Sequence, residues 1–296
     1  MYYDAHTVAY LDGQFCQISD MRFDIFSQTL HYGNGVFEGI RAYETAHGAR
    51  IFKAEAHYER LIYSAEKMLL PFTYTVEQLI DLSYELLRRN HLSDAYIRPL
   101  IYAGPEMGLA ATGKSHFLLT AFEWGRLLGE HETHLMTSPY TRPSPSSCHI
   151  EAKVCGHYVN SILAKTDAKQ KGFDEALLLD GQGFVAEASG TNLFFEKDDI
   201  LYTPPRGSIL PGITRATVFE MATEMGVTVE ERLFKPEALY DADGAFLVGT
   251  AAEIAPVGTI DGHPMALAWA DTLGYIFARK YRQRVTQSDH YQCTLI

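Results

Sequence analysis

The hydrophobic period changes several times along this chain, and that alternation limits the folds open to it more than any other feature. Thr7 to Leu11 and Gln14 to Ile18 read as strands around the hairpin signal Asp12-Gly13. A further apolar run, Val36 to Tyr43, follows Gly33-Asn34-Gly35. From His57 to Leu70 and from Val76 to Asn90 the spacing of Leu, Ile and Met becomes helical, with Pro71 between the two segments. Ala95 to Ala103 and His116 to Phe122 return to strands. Gly125 to Glu132 is polar and glycine-bearing and reads as a linker, while the Pro- and Ser-rich stretch Thr141 to Ser147 reads as a surface loop. Further on, His157 to Lys171 (closed by Gly172), Thr214 to Met225 and Ala266 to Val285 read as helices. Glu175 to Leu179, Phe184 to Ala188, Asn192 to Glu196 and Ala245 to Gly249 read as short strands. The expectation is an α+β chain in two lobes: a smaller α/β domain over 1–124, a linker over 125–132, and a β-richer domain over 133–296.

A chain of 296 residues that is 47% hydrophobic has ample material for a core of this kind. A net charge of −12 argues against nucleic acid and anionic membrane surfaces as partners, but not against small anions in a locally basic pocket. No apolar run approaches the roughly 18 residues of a membrane span. Met1-Tyr2-Tyr3-Asp4 has neither the basic nor the apolar region of a signal peptide. Cys16, Cys148, Cys155 and Cys293 form no CxxC pair, so reduced thiols in a cytoplasmic protein are expected.

Three motifs mislead. Gly108-Leu109-Ala110-Ala111-Thr112-Gly113-Lys114-Ser115 matches the P-loop pattern GxxxxGK(S/T), whose mechanism needs a helix directly after it. Here a strand-like run follows, so ATP binding is not expected. Gly33 to Gly39 misses GxGxxG by one residue, and no helix follows. His131-Glu132-Thr133-His134 is one residue short of HExxH, so the two histidines would not share a helix face and no metal site is supported.

Four other segments carry chemistry. In Glu151-Ala152-Lys153-Val154-Cys155-Gly156-His157-Tyr158 a lysine stands among apolar and small residues just before a helix. Loss of solvent there favours the neutral amine that Schiff-base chemistry needs; the alternative is a surface lysine. In Gly183-Phe184-Val185-Ala186-Glu187-Ala188-Ser189-Gly190-Thr191-Asn192-Leu193-Phe194, Glu187 ends an apolar strand and needs a partner. A pyridine nitrogen is one such partner, and a structural cation is another. Ser208 to Arg215 opens a helix whose first N–H groups, with the Thr214 hydroxyl, make an anion site or else an ordinary Thr-capped turn. Gly249-Thr250-Ala251-Ala252-Glu253 lets backbone approach a ligand closely or simply turns the chain after a strand.

Together with Leu30-His31-Tyr32-Gly33, Val36-Phe37-Glu38-Gly39-Ile40-Arg41, Ala95-Tyr96-Ile97-Arg98-Pro99-Leu100 and Leu210-Pro211-Gly212-Ile213-Thr214-Arg215, these segments give a specific match over nearly the whole chain. The sequence resembles the class IV pyridoxal-phosphate aminotransferases, the branched-chain type in particular. The resemblance implies the two-domain fold of D-amino-acid aminotransferase (fold type IV) and pyridoxal 5'-phosphate as cofactor. Lys153 is then the Schiff-base lysine that shuttles the α-proton, Glu187 the partner of the pyridine nitrogen and Tyr158 that of the phenolic oxygen. Arg60 would clamp the phosphate with Ile213, Thr214 and Thr250. Tyr96 and the backbone at Thr250 and Ala251 would bind the substrate α-carboxylate, and Arg98 the distal carboxylate of glutamate. Tyr32, Phe37, Arg41, Met107, Leu109, Trp124 and Leu127 would line the substrate pocket. Tyr32 and the Met107–Leu109 loop reach a neighbouring subunit in the family, which implies at least a homodimer. The implied reaction is ping-pong transfer from Leu, Ile or Val to 2-oxoglutarate. Rivals are a D-amino-acid or (R)-amine transaminase, a 4-amino-4-deoxychorismate lyase, and a non-catalytic ligand-binding protein.

One departure stands out. Some bacterial relatives carry a tyrosine three residues after the tryptophan of the Trp124-Gly125 segment, where it bonds the distal carboxylate. This chain has Leu127 there, preceded by Arg126, an arginine expected to be exposed.

Overall fold

A computed structural model describes residues 2–111, 113–129 and 131–287. The chain forms two compact units. The first takes the described residues up to Gly125, the segment Ala152–His157 and the end of the last helix from Val285; the second takes the rest. Lys153 therefore belongs to the first unit, although it lies within the span 133–296.

The first unit contains β1 (Val8–Leu11), β2 (Gln14–Gln17), α1 (Gln28–Tyr32), β3 (Gly35–Phe37), β4 (Ile40–Thr45), β5 (Gly48–Ile51), α2 (Ala54–Lys67), α3 (Val76–Arg89), β6 (Ala95–Ala103) and β7 (Ser115–Phe122). Its strands form an antiparallel sheet ordered β2-β1-β7-β6-β4-β5, with β3 also on β6. The helices α2 and α3 bury Leu61, Leu79 and Leu86 against Ile40, Ile97 and Ile101 of the sheet. Each such side chain contributes about 1.5–3 kcal/mol through lost apolar surface. A capping box between Thr75 and Gln78 starts α3. The apolar run 36–43 is two strands rather than one, because the chain breaks at Glu38-Gly39. The P-loop-like residues run directly into β7, a strand, so the helix that a phosphate loop needs is absent there.

The second unit contains β8 (Thr133–Thr141), α4 (Tyr158–Gln170), β9 (Glu175–Leu179), β10 (Val185–Ala188), β11 (Asn192–Lys197), β12 (Ile200–Thr203), α5 (Ile213–Met225), β13 (Val229–Glu231), β14 (Gly244–Gly249), β15 (Glu253–Ile260), β16 (His263–Pro264) and most of α6 (Leu273–Gln287). Its sheet runs β10-β9-β8-β15-β14-β11-β12-β13, with β8 parallel to both of its neighbours. Sequence periodicity misses β8 and β15. β15 is buried on both faces over its first half, so it shows no alternation to read. The last helix starts at Leu273 and not at Ala266. The N–H groups of Ala266 and Leu267 donate instead to the carbonyls of Ala242 and Asp243, which takes them out of any helix. Among the described residues no helix is long and apolar enough to cross a membrane. Cys16, Cys148 and Cys155 are free thiols; Cys293 lies outside the described residues.

Candidate active site

The expected site residues fall into two groups, one in each unit. In the first, the backbone of Lys153 is held from two sides. Its carbonyl accepts from Phe37 N–H of β3 at 3.1 Å. Its N–H donates to Ser64 Oγ of α2 at 3.0 Å, and that hydroxyl donates on to the Arg60 carbonyl at 2.7 Å. Lys153 is half-buried, with Nζ 4.9 Å from the centre of the Phe37 ring, so it does not lie along an exposed surface. On the same ring sits the guanidinium of Arg98, 4.7 Å from its centre. Arg98 also donates to the Tyr96 hydroxyl at 3.2 Å, while its Nε is buried with no hydrogen-bond partner. Tyr96 meets Trp124 edge-on at 4.7 Å. A Cβ at Gly39 would come 1.8 Å from the Tyr96 hydroxyl, so only glycine leaves that tyrosine its place. Lys153, Phe37, Arg98, Tyr96 and Trp124 thus form one row.

Behind this row lies a charge cluster that joins Arg60 to Glu38 and His57, two residues to which sequence reading gave no role. The Glu38 side chain is fully buried and accepts from Arg60 Nε at 2.6 Å, Arg60 Nη2 at 3.0 Å, His57 Nδ1 at 2.8 Å and Gly39 N–H at 3.1 Å. His57 and Arg60 are spaced i, i+3 on α2, so one helix face supplies both donors. Burial alone would raise the Glu38 carboxyl; the Arg60 charge and the His57 bond outweigh it and hold the group well below the usual carboxylate range. Burial also lowers His57, against the pull of Glu38. Deleting one partner from such a buried pair costs about 3–5 kcal/mol. Beside Lys153, burial pushes the Cys155 thiol up to about 11, which leaves it un-ionised at neutral pH.

Arg41 is buried and reaches Asp94 at 3.1 Å and the Trp124 carbonyl at 3.0 Å, fixing the segment that bears that tryptophan. Tyr32 donates its hydroxyl to the Met107 carbonyl at 3.1 Å, and Gln28 ties the same loop at Gly108. Tyr32, Met107 and Leu109 are all exposed.

In the second unit Glu187 is buried on β10. Its carboxylate accepts from Arg142 at 2.8 Å, Asn192 Nδ2 at 2.9 Å and Leu210 N–H at 3.2 Å. The stretch from Thr141 is therefore not wholly a surface loop: Arg142 is buried just after β8, and its N–H pairs with the Leu179 carbonyl. Its polar context hid it, since only the paired carboxylate marks it. Asn192 also holds the Leu210 carbonyl at 3.0 Å, and a Cβ at Gly212 would stand 2.0 Å from its Oδ1. That glycine is the N-cap of α5, and no side chain caps the helix. Thr214 is thus a buried first-turn residue and not the cap, and the free N–H groups of this helix start favour an anion.

Thr250 and Ala251 are half-buried on the turn between β14 and β15. Nearby, Thr191 packs its methyl group against Gly249, and its hydroxyl is buried without a hydrogen-bond partner. The Ala251 carbonyl accepts from Leu127 N–H at 2.9 Å, which joins the segment carrying Leu127 to this turn. Arg126 differs from expectation: its Nε meets the buried Glu253 carboxylate at 2.9 Å, and Arg282 meets the other oxygen at 3.2 Å. Tyr158 is half-buried at the start of α4.

Residues 35–260 match the sequence model of the family described as amino-transferase class IV. A protein of Pseudomonas aeruginosa named branched-chain-amino-acid aminotransferase is 41% identical over 265 residues, 88% of this chain and 86% of its own length. The crystal structure of a branched-chain aminotransferase from Thermoproteus uzoniensis with norvaline superposes with a TM-score of 0.90 at 36% identity, covering 94% of each chain. The branched-chain amino acid aminotransferase from Thermobaculum terrenum, in its PLP-bound holo form, gives 0.90 at 30% identity, covering 96% of this chain and 95% of that one. On these matches, and with the four chemistry-bearing segments placed as described, the chain belongs to the class IV aminotransferase family.

Proposed function

We propose that this protein is a pyridoxal-phosphate-dependent aminotransferase that moves the amino group of leucine, isoleucine or valine to 2-oxoglutarate. The observation that carries the reading is the row Lys153–Phe37–Arg98: an amine and a cation on one apolar ring. Such a wall meets an apolar side chain with Phe37 and a distal carboxylate with the unpartnered Nε of Arg98. Both substrates need the same pocket.

Each unit taken by itself has residues that suit the cofactor: in the second, the uncapped start of α5 at Ile213 and Thr214 suits a phosphate and Glu187 a ring nitrogen, and in the first, the Arg60 guanidinium suits a phosphate and Lys153 offers an amine. When bound, pyridoxal phosphate supplies a carbonyl carbon that takes up the amino group and a ring that draws off electrons from Cα. Lys153 would hold it covalently through Nζ, and the same amine, when free, would take the proton from the substrate Cα. Glu187, fixed by Arg142 and Asn192, would hold the proton at the ring nitrogen, and Tyr158 would donate to the phenolic oxygen. In the first unit Tyr96 would orient the α-carboxylate, and Phe37 and Trp124 would exclude water from the side chain; in the second, the backbone of the turn at Thr250 and Ala251 would offer donors to the same kind of group.

The assembly is a homo-oligomer, at least a dimer. Ile25, Phe26, Leu30, Tyr32, Met107 and Leu109 expose apolar surface around α1 and the loop it holds, more than a solvated face needs. The protein is cytoplasmic, consistent with free thiols. The functional test is a donor panel with 2-oxoglutarate. L-Leu, L-Ile and L-Val should turn over, with D-alanine and (R)-1-phenylethylamine far slower; the reverse order would overturn the branched-chain assignment.

A further inference from the structure

We propose that Glu38 is a positioning residue for phosphate recognition: it grips Arg60 from behind, fixes the plane of its guanidinium and thereby sets how that arginine meets a phosphate. The inference rests on the reading of Arg60 as the phosphate clamp and goes beyond it. Two bonds run from Arg60 Nε and Nη2 to the two oxygens of one carboxylate, at 2.6 and 3.0 Å. A two-point contact of this kind orients the planar fork as well as attracting it. The carboxylate is itself immobile. His57 Nδ1 and Gly39 N–H both donate to Oε2, the oxygen that Arg60 Nη2 also meets, and the Glu38 N–H donates to the Pro99 carbonyl at 3.0 Å.

The same small region seats the lysine. Phe37, one residue before Glu38, holds the Lys153 carbonyl, and Ser64, four residues after Arg60, holds its N–H. One buried carboxylate therefore sits where the strand that holds Lys153 and the helix that carries Arg60 are fastened together. The Arg60 charge and the His57 bond keep Glu38 ionised against its burial, and burial keeps His57 neutral, so the cluster has no net charge. Glu38 acts by orientation rather than by adding attraction for an anion.

The test compares two ligands that differ only in the phosphate. Full-length wild type, Glu38→Gln and Glu38→Asp are titrated with pyridoxal 5'-phosphate and with pyridoxal, followed by visible absorbance. In Glu38→Gln the amide offers one acceptor, and its NH2 opposes Arg60. Affinity for pyridoxal phosphate should fall at least tenfold while that for pyridoxal stays within twofold. Glu38→Asp keeps the charge but is too short for both contacts, and should lie between; it serves if the glutamine variant folds poorly. In an Arg60→Ala background, Glu38→Gln should change neither affinity further. Equal losses for both ligands would make Glu38 a purely structural residue. Tighter binding of pyridoxal phosphate in Glu38→Gln would make it a competing counter-charge; either result overturns the proposal. If Arg60→Ala alone leaves the ratio of the two affinities unchanged, the phosphate-clamp reading of Arg60 is what has failed.

Discussion

Glu38 and Glu187 are both buried carboxylates among small and apolar residues, yet the two units hold them differently. Glu38 takes both of its side-chain donors, His57 and Arg60, from one face of one helix, α2. Glu187 takes its donors from three separate places: Arg142 after β8, Asn192 on β11 and Leu210 before α5. The first arrangement is local and rigid, and it serves to fix another side chain. The second gathers distant segments around a carboxylate, so the fold of the whole unit sets where that charge points. A buried carboxylate is therefore an ambiguous sign, and its partners decide whether it orients a neighbour or faces a ligand.

The largest expected effect belongs to the lysine that both carboxylates would serve. Lys153→Ala should lower turnover by roughly 10,000-fold or more, because both the covalent link and the proton transfer are lost. Steady-state rates within tenfold of wild type would break the account. Glu187→Gln should retain the cofactor but slow the chemical step on the order of 100-fold, the scale of losing one fixed electrostatic partner. Unchanged single-turnover rates would reduce Glu187 to the ion pair with Arg142 and erase its contrast with Glu38.

Arg98→Ala should weaken the 2-oxoglutarate half-reaction about tenfold to a hundredfold, the value of one charged hydrogen bond, and the leucine half-reaction much less. Equal losses in the two half-reactions would place Arg98 on the α-carboxylate or in folding.

Acid unfolding sharpens the contrast from the other side. The folded state lowers Glu38 below its ordinary value of 4.5. Its stabilisation is therefore fully present above that value and is lost as pH falls below it. Glu38→Gln should be less stable than wild type at pH 7, with the gap closing as the pH drops; a gap that stays constant down to pH 3 would show that the carboxylate's charge contributes nothing. The smallest effect belongs to Leu127→Tyr. A new hydrogen bond to the distal carboxylate should tighten 2-oxoglutarate a few-fold to tenfold and leave leucine unchanged. Equal change in both substrates would put Leu127 outside the pocket. Arg126 offers no ready substitute for the tyrosine, because it is drawn onto Glu253.

Much of this was legible in the chain, and the exceptions have physical causes. Ala95–Ala103 and Glu175–Leu179 were readable to the residue because each is a largely apolar run of strand length with sharp bounds, Asp94 and Gly104 for the first and Asp174 and Asp180 for the second. β15 was not, since a strand buried on both faces lacks a period of two, and β8 was not, since its buried and exposed residues do not alternate regularly. Lys153, Glu187 and the start of α5 stood out through neighbours close in sequence. Arg142 and the Arg126–Glu253–Arg282 contacts did not, because only the fold brings those residues together. Glu38 lay in plain view within Phe37-Glu38-Gly39, and the i, i+3 spacing of His57 and Arg60 was a usable signal for two donors on one helix face. What was missing was the strand break that turns Glu38 toward them.

The central claim is that Lys153 holds the cofactor. Its most direct test is borohydride reduction of the pyridoxal-phosphate-loaded protein followed by peptide mapping. The account predicts a single phosphopyridoxyl group on the peptide containing Lys153, together with loss of the visible absorbance. A label on any other lysine, or bleaching without a covalent adduct, would contradict it.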